Sequence, residues 1–79
     1  MDTDIVQQLK RLDEAIAREP SGALYLERGR LQWKLQRHAA AMADYERAVA
    51  LDGPESPAAS ALAMARDVLD YYNKDLLNP

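Results

Sequence analysis

Between Tyr25 and Pro54 the chain reads Tyr25-Leu26-Glu27-Arg28-Gly29-Arg30, then Ala41-Met42-Ala43-Asp44-Tyr45-Glu46-Arg47-Ala48, then Gly53-Pro54, and the small residues in this stretch decide the fold. Gly29 stands inside a helical pattern, where glycine costs roughly 1 kcal/mol against alanine, so it needs a packing reason. A small residue there lets a partner helix approach closely, and Ala41 is its natural counterpart across an antiparallel hairpin. Tyr45 and Ala48 then face the next helix in a stack. The stretch therefore reads as a helix over about 23–36, with Leu24, Leu31 and Leu35 on one face, and an alanine-rich helix over about 39–51, with Met42, Tyr45 and Val49 as its larger apolar members. Gly53-Pro54 ends the second of these, because proline disfavours the helical conformation in the residue before it.

The flanks are helical too. Ile5, Leu9, Leu12 and Ile16 fall at steps of 4, 3 and 4, one apolar stripe with Lys10, Arg11, Asp13 and Glu14 outside it. Thr3 is the expected N-cap, and Pro20-Ser21-Gly22 stops this first helix, predicted over 3–18. Ser56-Pro57 opens a fourth helix over 57–73, since serine caps free amides and proline suits the first turn. That helix continues through Leu62, Ala65, Val68, Leu69 and Tyr72, and fraying is expected towards Asn78-Pro79. No segment keeps a period of two, so no sheet is predicted.

The four helices repeat. Leu12-x-x-Ala15-Ile16-Ala17 aligns with Tyr45-x-x-Ala48-Val49-Ala50 at an offset of 33, and each copy runs into a proline, Pro20 or Pro54. At an offset of 34, Gly29 meets Ala63, Leu31 meets Ala65 and Leu35 meets Leu69. The chain reads as half a repeat, a complete one and half of a third.

On these residues the chain resembles the tetratricopeptide repeat family. Tyr25, Gly29, Ala41, Tyr45, Ala48 and the closing Pro54 match the family pattern, whereas Arg28 stands where leucine is usual and Gln32 where tyrosine is usual. The two departures weaken the first helix of the complete repeat, and Trp33 supplies the bulk missing at Gln32. In the fourth helix Leu62-Ala63 restores the leucine–small pair. The resemblance implies an all-α fold over residues 1–79: antiparallel helix hairpins stacked as a short right-handed superhelix of four helices. It also implies protein or peptide binding on a concave surface lined by the first helix of each repeat.

Composition narrows the function further. The chain has 79 residues, 48% apolar and 29% charged, no cysteine, and a formal charge of −3. That is one small globular domain without disulfides or thiolate metal sites. Its acidity argues against nucleic acid, which calls for a basic surface. The acidic start Met1-Asp2-Thr3-Asp4 is unlike a signal peptide, and no apolar run approaches the roughly 20 residues that span a bilayer, so the expected location is the cytoplasm. His38 is the sole histidine, beside Arg37, and no nucleophile–base–acid set follows from helical spacing; neither enzyme activity, nor a metal, nor a cofactor is expected.

Candidate binding residues lie on the second helix. Leu26, Arg30, Trp33 and Arg37 recur at steps of 4, 3 and 4 and share one face, with Lys34 beside it. From Arg28 to His38 there are four cations and no acid in an otherwise acidic protein. Arginine forks fit carboxylates and tryptophan supplies an apolar anchor, so an acidic peptide suits this face. The competing reading makes Trp33 core, packed on the fourth helix, with the cations as a solvated rim; the bulk of a tryptophan in a small domain favours it. Some family members grip a C-terminal carboxylate with a lysine–asparagine clamp, but Leu26 and Arg30 occupy two of the positions such a clamp needs, and that activity is not carried over. The fourth helix has more apolar surface than one hairpin covers. Either Tyr71, Tyr72, Leu76 and Leu77 fold over it as a cap, the preferred reading, or a second copy covers it, which makes the chain a monomer or a weak homodimer.

Overall fold

The structure, a computed structural model, describes residues 2–77. Four helices follow one another: α1 (Asp2–Arg18), α2 (Gly22–Lys34), α3 (His38–Asp52) and α4 (Pro57–Leu77), with no strand among the described residues. Successive helices are joined by short turns and pack side by side as antiparallel hairpins.

The turn chemistry sets the helix ends. Ser21, read from the sequence as part of a stop signal, is instead the N-cap of α2: its backbone is extended and its Oγ accepts the Leu24 N–H at 3.2 Å. At the other end of α2, Gln36 takes φ +63°, the Arg37 N–H bonds the Gln32 carbonyl at 2.9 Å, and the Gln36 N–H bonds the Trp33 carbonyl at 3.0 Å. This is a Schellman closure with glutamine in the place glycine usually takes. It ends α2 two residues before the boundary expected from the sequence. Gly53, at φ +96°, ends α3 in a conformation open to glycine and strained for other residues. Ser56 then caps α4, its hydroxyl donating to the Gly53 carbonyl at 2.7 Å and accepting the Ala59 N–H at 3.4 Å. α1 is already helical at Asp2, so Thr3 lies inside its first turn rather than at its cap.

Two apolar clusters hold the helices together. Leu9 and Leu12 of α1 meet Leu31 of α2, with Ile5, Leu24 and Leu35 packed around them. The stripe read from periodicity is therefore the α1–α2 interface, and each buried leucine contributes about 1.5–3 kcal/mol. On the other side of α2, Ala41 and Tyr45 of α3 meet Leu62 and Ala65 of α4. Gly29 belongs to this seam. A Cβ built there would stand 2.6 Å from the Tyr45 Cε1 and 3.3 Å from the Ala41 carbonyl oxygen, so the glycine gives Tyr45 its place.

α4 departs from the sequence reading. It runs unbroken to Leu77, with no glycine or proline between Pro57 and its end to turn it, so it forms no fold-over cap on its own flank. Tyr71 and Tyr72 are exposed. The side chains of Leu76 and Leu77, the rest of the expected cap, and the expected fraying at Asn78-Pro79 lie outside the described residues.

Candidate functional site

α2 lies between α1, α3 and α4, so its faces have different neighbours. Arg28 points into the seam. Its Nε and Nη2 donate to both carboxylate oxygens of Asp44 at 3.0 and 2.8 Å, and its Nη1 donates to Asp13 of α1 at 2.8 Å. The Asp44 side chain is only 4% exposed, against 61% for Asp13. One guanidinium thus ties α1, α2 and α3 together through a two-pronged ion pair and a second, solvated one. The Asp44 hydrogen bonds, outweighing desolvation and helped by Asp13, hold the Arg28 proton well beyond the usual arginine range. The Arg28 and Arg47 guanidiniums both lie over the Tyr25 ring, 5.4 and 5.8 Å from its centroid. At Arg28, where the repeat pattern has leucine, the side chain makes ion pairs that spacing alone does not reveal. Gln32, the second departure, keeps its Oε1 buried without a hydrogen-bond partner among the described residues.

Two residues on, Arg30 faces a different space. A groove of about 510 Å³ opens between α2 and α4. Arg30 and Trp33 form its α2 wall, Tyr45 of α3 lies at its floor, and Ala61, Met64, Ala65 and Val68 form its α4 wall. Arg30 is its single charged lining residue, exposed and in no ion pair among the described residues. Burial raises the Tyr45 phenol above its ordinary value, while the Arg30 charge acts in the opposite direction.

The five residues singled out on sequence spacing therefore separate. Arg30 and Trp33 line the groove. Trp33 is also half-buried against the Ala41–Tyr45–Leu62–Ala65 cluster and contacts His38, ring centroids 4.3 Å apart, so the two readings of this residue describe its two sides. Leu26 packs against the same cluster and does not line the groove. Lys34 is exposed at the last turn of α2. Arg37 does not share the α2 face, because the left-handed Gln36 turns the chain before it and Arg37 becomes the N-cap position of α3. The α4 wall was not foreseen, although Ala61, Met64 and Val68 recur at steps of 3 and 4.

Residues 22–54, from the first residue of α2 to the proline after α3, match the family model of the tetratricopeptide repeat. The α2–α3 hairpin is similar to a tetratricopeptide repeat. The matched span is the α2–α3 hairpin, with Gly29, Ala41 and Tyr45 in its seam and Ala48 buried, and tetratricopeptide repeats generally mediate protein–protein interaction. No curated protein and no solved structure matches the chain. Beside the repeat, no group of three His, Asp or Glu side chains among the described residues is placed to hold a metal ion, and no described helix is long and apolar enough to cross a membrane.

Proposed function

We propose that the chain is a cytoplasmic polypeptide-binding adaptor without catalytic activity, which lays a segment of a partner protein along the α2–α4 groove. α1 and α4 act as halves of neighbouring repeats around the α2–α3 hairpin, a reading supported by their offsets of 33 and 34 residues. The observation that carries the proposal is the groove itself: apolar walls, an aromatic floor, and Arg30 as its lone charge. Such a site takes apolar side chains by burial and orients them through one carboxylate on the guanidinium. The partner segment is accordingly apolar with an acidic residue or a terminal carboxylate. Lys34 and Arg37 add long-range attraction without touching the buried part.

Trp33, the sole tryptophan, reports on the site directly. Peptides selected from a random library on the folded protein are expected to combine apolar and acidic residues and to shift the Trp33 emission on titration. Met64→Arg, a change at an exposed position, is expected to weaken their binding by about a hundredfold, as for a central contact residue. Equal affinity of wild type and a folded Met64→Arg variant contradicts the assignment.

A further inference from the structure

The groove does not end where the hairpin ends. α4 has 21 residues against 13 in α2 and 15 in α3, so at 1.5 Å per residue it extends about 31 Å against about 20 and about 22 Å. Burial along α4 fades accordingly: Ala58, Leu62 and Ala65 are buried, Leu69 is half-buried, and Tyr71 and Tyr72 are 71% and 66% exposed. Ala61, Met64, Val68 and Tyr71 follow one another at steps of 3, 4 and 3, so the α4 wall continues past the groove as an exposed apolar ridge. Asp67 flanks this ridge, exposed and in no ion pair among the described residues. Each chain therefore carries an apolar groove with one cation and an apolar ridge with a carboxylate beside it.

We propose that in the absence of another partner this groove is occupied by a second copy of the same chain. The middle of α4 from each protomer lies antiparallel in the groove of the other, through Met64, Val68 and Tyr71, with Asp67 of one protomer against Arg30 of the other. Each copy uses the same surface twice, so the contact closes as a two-fold dimer. Association of this kind also supplements the core of a domain that is small for independent stability.

Head-to-tail stacking is the competing arrangement, with α1 of a second copy pairing with α4 as α3 pairs with α2. The sequence registers disfavour it. At the offset of 33, Gln8 and Arg11 of α1 stand where α3 has Ala41 and Asp44. Ala41 is fully buried beside Gly29, so the exposed Gln8 brings bulk where such a seam needs closeness, and the exposed Arg11 sets a cation against Leu62, the α4 residue aligned with Arg28. The two-fold contact requires neither helix face to change.

The dimer goes beyond the polypeptide-binding reading and does not rest on it, although both occupants compete for one groove. Sedimentation of the full chain from about 1 to about 200 µM tests it. The weight-average mass is expected to rise from the 8.9 kDa monomer towards twice that value. Arg30→Glu and Asp67→Arg, both at exposed positions, are each expected to weaken association about tenfold, and the double variant to return within about threefold of wild type. Circular dichroism confirms that all variants stay helical. A wild type that remains monomeric throughout overturns the proposal, whether or not it binds selected peptides. So does a mass that climbs past the dimer, or a double variant as weak as the single ones.

Discussion

Arg28 and Arg30 are two residues apart on α2, so about 200° separates them around the helix axis, and they enter regions that differ in kind. Arg28 goes into the α2–α3 seam, where small residues bring the helices close and a buried carboxylate meets the guanidinium. Arg30 goes to the α2–α4 groove, where the walls stand apart and no acid answers it among the described residues. The difference teaches that a cation on a repeat helix is structural or free according to what its face meets, not according to local charge. Changes in the seam must cost stability, and changes in the groove must cost binding.

The sharpest way to break this contrast is to remove the acid in the seam. Asp44→Ala leaves Arg28 partly buried with only the solvated Asp13 as partner, and is expected to destabilise by about 3–5 kcal/mol. Thermal denaturation measures it, and the double change Arg28→Leu/Asp44→Ala is expected to recover most of the loss, because an apolar pair of similar volume replaces a buried ion pair at little cost. If the double variant is no better than the single one, the ion pair does not account for the seam.

Gly29→Val comes next, at about 3 kcal/mol, since the branched side chain must displace a buried Tyr45 ring. Ala63→Val, at the aligned but exposed position of α4, is expected to stay within about 0.5 kcal/mol. Equal costs at the two positions would dissolve the distinction between the packed seam and the open flank.

A smaller effect is tied to pH. Burial raises the Tyr45 phenol in the folded state, so the native protein holds that proton more tightly than the unfolded chain does. The associated stability is full below the ordinary tyrosine value of 10.0 and is lost as pH rises through the higher folded value. Melting temperatures between about pH 9 and about pH 11 should fall, and Tyr45→Phe should remove that part of the fall. Smallest of all, Arg30→Glu is expected to change stability by no more than about 0.5 kcal/mol while it alters binding.

Much of the fold was legible because it follows from periodicity and from costs that need a cause. The stripe Ile5, Leu9, Leu12, Ile16 fixed the buried side of α1, and the penalty of a mid-helix glycine pointed to Gly29 as a contact point. Less of the site was legible. A charge in place of a leucine reads as solvated unless its partner is known, and Asp44 is 16 residues from Arg28, across a turn. Gln36 carries no signal for a positive φ, so the spacing of Leu26, Arg30, Trp33 and Arg37 suggests a face that runs past the end of α2. The groove needs two helices that are 34 residues apart in register, and spacing within α2 alone gives only one of its walls. Ser21 after Pro20 reads as part of a stop, although serine before a helix is equally a start.

The central claim, that the α2–α4 groove receives a polypeptide, is tested most directly by mapping backbone amide shifts during titration with a library-selected peptide. The expected perturbations centre on Arg30, Trp33, Ala61, Met64 and Val68 and leave Asp13, Arg28 and Asp44 in place. Perturbations confined to the opposite side, around Ala15, Arg18 and Leu24, would contradict it.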